Sequence, residues 1–169
     1  LSATFSAMTG GNIYLKYENS QKTGSFKIRG ASNKIAALVE RGETGAVVAS
    51  SAGNHAQGVA YAAHRFGIPA TIVMPKTAPI AKAKATEGYG ATVVLAGDCY
   101  DDAYAKACEI CEQEHATFLH PYNDPEVIAG QGTLGLEILG DLPTADIVIV
   151  PAGGGGLLAG VAACIKQIN

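Results

Sequence analysis

The sequence has no concentration of basic charge: 12 Lys and Arg residues are scattered among 15 Asp and Glu, for a formal net charge of −3. That excludes the basic footprint of a nucleic-acid binder. Nor is there an uninterrupted apolar run of membrane-spanning length. The longest apolar region, from Ile147 to Ile165, contains Pro151 and four consecutive glycines, which argues against a transmembrane helix. No signal peptide is visible at the start, so the chain reads as cytoplasmic and without a membrane partner. Internal repeats and low-complexity linkers are absent. Cysteine is sparse, at Cys99, Cys108, Cys111 and Cys164. Cys108 and Cys111 form a CxxC, but they fall inside a helical stretch, with no second pair and no preceding βα turn. They read as ordinary half-buried thiols, and no metal site is expected.

Glycine, by contrast, is abundant, at 21 residues of 169. It is costly in regular structure, so this number implies loops that need unusual backbone angles or close approach to a ligand. The length suits one sizeable core, and length alone suggests one domain.

Short apolar strands alternate with helical stretches, the pattern of a parallel sheet covered by helices. Residues 12–18, NIYLKYE, alternate as a strand. Further strands are expected at 45–50, 70–75, 91–97, 116–122 and 145–153. Helical periodicity runs through 25–42, from about His55 to Phe66, through 80–90, from Asp101 to Glu114, through 125–142, and onward from Gly154. Both ends look cut, with the last helix still running at Asn169.

Three stretches carry chemistry. KTGSFKIRGA places Lys27 at a loop-to-helix boundary, with Gly24 and Ser25 as turn and cap. A lysine that acts as a Schiff-base nucleophile must be partly desolvated, so that its amine is neutral near physiological pH. Phe26 and Ile28 are apolar neighbours of that kind, although most lysines are simply solvated. SSAGNHAQGVAYAA follows a strand directly, and strand, tight turn and helix start together make an anion site. Ser51, Gly53 and Asn54 are small or polar enough for a carboxylate to reach the backbone; a plain helix cap is the alternative. VIVPAGGGGLLAG sets Gly153, Gly154, Gly155 and Gly156 between strand and helix, a cradle for a lone phosphate or else a flexible hinge. It lacks the Lys-Ser/Thr of a P-loop and the spacing of a dinucleotide fingerprint.

Taken together and in this order, SFKIRGA, SAGNHAQG, VIAGQGTLGLEIL and GGGGLLAG resemble the serine/threonine dehydratase family of pyridoxal-phosphate (PLP) enzymes, nearest its threonine dehydratases (threonine ammonia-lyases). The resemblance covers essentially the whole chain. It implies an α/β fold of PLP fold type II, the tryptophan-synthase-β-like fold, with parallel-sheet domains covered by helices on both faces. A small domain at 46–123 would be inserted between two pieces of a large one, 1–45 and 124–169, the large one incomplete. It implies PLP as cofactor, with Lys27 as the Schiff-base lysine and catalytic base and Phe26 packed against the pyridine ring. Asn54 would bond the cofactor's phenolic oxygen, and the Gly153–Gly156 loop would hold its phosphate, with Leu157 at the helix entrance. Ser51, Ala52, Gly53, Asn54 and His55 would frame the substrate carboxylate. The reaction implied is elimination of water from L-threonine or L-serine, giving 2-oxobutanoate or pyruvate and ammonia, a role in amino-acid metabolism that includes isoleucine biosynthesis.

Similar serine racemases carry Ser where Ala52 stands, so elimination without racemisation is expected. Tyr122, in HPYNDP, resembles the catabolic threonine dehydratases. Family members continue well beyond Asn169, and that continuation carries the Ser or Cys meeting the pyridine nitrogen, a cation site in many members, and sometimes a regulatory domain. The full-length protein is expected to be a homo-oligomer, and the chain by itself poorly active or inactive. Competing readings are a non-catalytic α/β fragment or module binding a phosphorylated ligand or a partner subunit, a serine racemase, and β-replacement as in cysteine synthesis.

Overall fold

The computed structural model describes residues 1–168; Asn169, the end of the second large-domain piece expected above, lies outside them. Its centre is a four-stranded parallel sheet of β1 (Val47–Ser50), β2 (Ala70–Met74), β3 (Thr92–Leu95) and β4 (Thr117–Phe118), in the order β3-β2-β1-β4. Val47 aligns with Ala70 on one side and Thr117 on the other, and Thr71 with Thr92. The helices are α1 (Ala3–Thr9), α2 (Lys27–Glu40), α3 (Asn54–Phe66), α4 (Ile80–Gly88), α5 (Tyr100–Glu114), α6 (Pro125–Asp141) and α7 (Gly156–Ile168), of which α3, α4 and α5 pack directly on the strands.

The strands are apolar on both faces because helices cover both. Val47, Ala49, Ile72 and Met74 face one core with Ile35 and Leu38 of α2 and Val59 of α3. Their alternates Val48 and Val73 face Ala103, Ala107 and Ile110 of α5. The period of two along each strand thus divides one sheet between two cores. Beyond the sheet, α6 packs against α2 and α7. Glycines set how closely: a Cβ on Gly30 would lie 2.7 Å from the Val127 carbonyl oxygen, and one on Gly130 2.7 Å from that of Arg29. Ion pairs lock the same helices. Arg29 bridges Glu18 and Glu137, each at 2.7 Å, and Lys34 meets Asp124 at 3.0 Å and Glu126 at 2.7 Å.

Two expected strands do not form among the described residues. Residues 12–17 run without ladder partners, leaving Tyr14, Leu15 and Tyr17 exposed, while Lys16 pairs with Asp141 at 2.7 Å. Residues 147–150 keep the alternation expected of them: Val148 and Val150 pack with Leu134, Leu157 and Val161, whereas Ile147 and Ile149 are 80% and 88% exposed. A strand is made by its ladder, and neither segment has one here. β4 is shorter than expected for the same reason, pairing only Thr117 and Phe118. No helix among the described residues is long and apolar enough to cross a membrane.

Candidate active site

β1 is the point where the strand order turns, with β2 on one side and β4 on the other. In open parallel sheets, ligand crevices lie beyond the carboxyl ends of strands at such a point, because the connecting helices leave it on opposite faces. An open cleft of about 520 Å³ is found there, lined by Ser50, Ser51, Asn54 and His55 after β1, Pro121 and Tyr122 after β4, Lys27 and Tyr100. A second cleft of about 330 Å³ is lined by Phe26, Lys27, Pro121, Tyr122, Gln131 and the glycine loop through Leu157. Lys27, Pro121 and Tyr122 belong to both, so the lysine amine stands where the two meet.

Lys27 opens α2. Gly24, at φ +73°, makes the turn before it, and Ser25 Oγ accepts the Lys27 backbone N–H at 3.3 Å. Burial lowers the lysine's pKa below its ordinary value. The amine lies 5.4 Å from the Phe26 ring centre and donates to the Pro121 carbonyl at 2.6 Å. A half-buried ammonium without a carboxylate partner is costly, and this favours the neutral, nucleophilic amine.

The glycine loop fits a bound phosphate. Gly155 takes φ +86°, open to glycine at little strain, and α7 begins at Gly156, so that the loop and the first residues of the helix line the second cleft. A Cβ on Gly154 would overlap the Tyr122 ring, and one on Gly156 would lie 2.7 Å from the Tyr122 carbonyl oxygen, so side chains would fill this cradle.

Of the residues expected to frame a carboxylate, Ser51, Asn54 and His55 line the cleft, while Ala52 packs against the apolar core and Gly53 is the N-cap of α3. The Gly53 N–H is directed to Ser51 Oγ at 3.1 Å. His55 is 3% exposed, and its Nε2 donates to the Leu119 carbonyl at 2.9 Å, so the ring has no donor left for a ligand and only the backbone N–H remains. Desolvation, with Lys27 adding to it, takes its pKa down to about 4 and holds the ring neutral. Among the described residues, Ser50 Oγ and His55 Nδ1 are buried without a hydrogen-bond partner, and both residues line this cleft. Polar atoms in that condition suit a site that takes a polar guest or water.

The sequence alone did not single out two cleft-side residues. Tyr100 lines the first cleft and stacks on Tyr104 at 6.2 Å. His120 stands 4.6 Å from the Tyr122 ring, with its pKa lowered first by burial and then by Lys27, against Asp124. Tyr100 sits in no local pattern that marks a site, and His120 opens the HPYNDP stretch, in which only Tyr122 was singled out. At the CxxC, burial pushes the Cys111 thiol up to about 11, far from a reactive thiolate.

A desolvated lysine between a glycine loop and a helix N-terminus, at the switch point of a parallel sheet, fits the PLP fold type II, tryptophan-synthase-β-like class whose fold this chain shares in part. The chain belongs to the family described as pyridoxal-phosphate dependent enzyme, which it matches over residues 1–169. It is 61% identical over 168 residues to an L-threonine ammonia-lyase of Thermotoga maritima, a match covering 99% of this chain and 42% of that protein. The processed form of threonine deaminase isoform 2 from Solanum lycopersicum superposes with a TM-score of 0.93 at 45% identity, covering 98% of this chain and 46% of that one. Maize serine racemase superposes with a TM-score of 0.95 at 42% identity, covering 99% and 51%. The chain therefore spans about half the length of the relatives it matches.

Proposed function

We propose that this chain provides the lysine and the phosphate cradle of a threonine dehydratase, which eliminates water from L-threonine, or from the smaller L-serine, to give a 2-oxo acid and ammonia. The carrying observation is the Lys27 amine: desolvated, without a carboxylate partner among the described residues, and shared by both clefts. When bound, PLP supplies an electron sink for the charge left at the substrate Cα. The protein's part is positional and acid–base. The glycine loop and the first turn of α7 hold the phosphate, and Phe26 and Asn54 flank the ring. Ser51 and the backbone N–H groups opening α3 receive the substrate carboxylate. The neutral Lys27 amine takes the Cα proton.

A serine racemase is the second reading, favoured by the likeness to the maize enzyme. Racemisation needs a proton donor on the opposite face of Cα, and the methyl group of Ala52, packed against the core, supplies none. Elimination is the better-supported outcome. We also read residues 46–123 as a small domain, a division supported by all four strands lying between Val47 and Phe118.

The test is to add PLP to the chain, fix the adduct with borohydride, and map it by mass spectrometry with Lys27→Ala as control. An adduct on Lys27 alone, followed by 2-oxobutanoate release from threonine, supports the reading. Adducts spread over surface lysines, unchanged by Lys27→Ala, refute it.

A further inference from the structure

The turn after β4 holds a set of contacts that the proposed reaction leaves unexplained. His120 folds its ring back over its own backbone, and Nδ1 accepts the N–H of Asn123 at 2.8 Å and of Tyr122 at 3.3 Å. A ring nitrogen that accepts carries no proton, so the neutral tautomer has its hydrogen on Nε2. One residue earlier, the Leu119 carbonyl is tied from the other side by His55 at 2.9 Å. The Tyr122 N–H and the Pro121 carbonyl are the two ends of one planar peptide unit and point in opposite directions. Whatever holds that N–H therefore aims that carbonyl, and the carbonyl is the acceptor of Lys27 Nζ at 2.6 Å.

From this geometry we propose that His120 is a positioning residue: by gripping the N–H of the Pro121–Tyr122 peptide, it aims the Pro121 carbonyl at Lys27 and gives the lysine amine a fixed station whenever it is not covalently engaged. The inference rests on the reading of Lys27 as the amine that captures the cofactor and moves the proton. Its physical content is rotamer entropy. A lysine stem costs up to about 2 kcal/mol to immobilise, so a free amine would sweep between cleft and solvent. One directed acceptor keeps it at the junction of the two clefts, and because that acceptor is a carbonyl and carries no net charge, it orients the amine without the pull of a carboxylate.

His120 also packs by its ring, in T-shaped contacts with Tyr122 at 4.6 Å and Phe118 at 6.4 Å. Two substitutions separate packing from acceptance. His120→Asn keeps a side-chain acceptor able to reach the same two N–H groups in an Asx-type turn, but loses the ring. His120→Phe keeps the ring and loses the acceptor. The readout is the pKa of the Lys27 amine in the cofactor-free chain, from competitive acetylation across pH, resolved by mass spectrometry.

With the station intact, the amine stays in the cleft and its pKa stays depressed. With the station lost, the ammonium swings into water and its pKa returns to the ordinary lysine range. We expect Asn to behave as wild type and Phe to release the amine. The opposite order, or no change in either variant, overturns the proposal. Should either variant fail to fold, imidazole nitrogen NMR of the wild-type chain decides alone: a proton on His120 Nδ1 above neutral pH overturns it. None of these measurements requires PLP to bind, so failure of the dehydratase reading, seen as absent adduct on Lys27, is distinguishable from failure of this one.

Discussion

Replacing His55 with glutamine is expected to flatten the acid limb of the stability profile. In the unfolded chain this imidazole titrates near 6.5, and in the folded protein near 4, because burial excludes the charged form. Between those values the unfolded state takes up a proton that the folded state refuses, so acidification favours unfolding. Stability is complete above the unfolded value, declines as pH falls through the window, and levels off below the folded one. At about 1.4 kcal/mol per pKa unit the whole penalty is about 3 kcal/mol, of which about 2 kcal/mol has accrued by about pH 5. Glutamine does not titrate, and its amide can still donate to the Leu119 carbonyl. Other groups, His120 among them, remain in both proteins and cancel in the comparison. The assay is urea unfolding followed by far-UV circular dichroism at about pH 7.5 and about pH 5, extrapolated to water. The wild-type chain should lose about 2 kcal/mol more than the variant between the two conditions. Parallel losses would refute the assignment of His55 as a buried neutral ring.

Other consequences follow from packing, capping and the cradle. Gly30→Ala forces α2 away from α6 at the Val127 carbonyl and should cost roughly 1–3 kcal/mol, read as a lowered unfolding midpoint in urea. Asp124→Ala removes the side chain that accepts the Glu126 and Val127 N–H groups at 2.8 and 3.1 Å and pairs with Lys34, and should cost about 1–2 kcal/mol in the same assay. In Gly154→Val the new side chain overlaps Tyr122 and fills the cradle. PLP capture at Lys27, followed by absorbance, should fall by about tenfold or more, about 1.4 kcal/mol, with the far-UV spectrum retained.

Much of this protein is legible along the chain because the signals are local. Strands β1, β2 and β3 show as short apolar runs bounded by turns, and α2 to α7 by their period, whereas α1, which buries no residue, was not expected. The tetraglycine loop and the Asn54 helix start announce themselves by composition, since bare backbone between strand and helix has few other uses. What stayed illegible depends on partners far away in sequence. Alternation at 12–17 and 147–150 says which side chains share a face, but a strand also requires a neighbour, and among the described residues neither segment has one. The imidazole of His55 looks like a ligand for a carboxylate until its Nε2 is found bonded to Leu119, 64 residues away. Tyr100 lies in unremarkable surroundings and reaches the cleft only because α5 packs beside β1, while His120 stands next to the cleft residues Pro121 and Tyr122.

The sequence by itself marked the layered α/β class, the glycine-rich turn and the helix start, since each depends on residues close together in the chain, and it singled out Lys27 through the resemblance to PLP enzymes. Tertiary structure alone decided the strand order β3-β2-β1-β4, and with it the crevice beside β1. It also brought Lys27 to the Pro121 carbonyl, 94 residues away, because burial and acceptor geometry arise only when the folded chain sets distant backbone against the lysine.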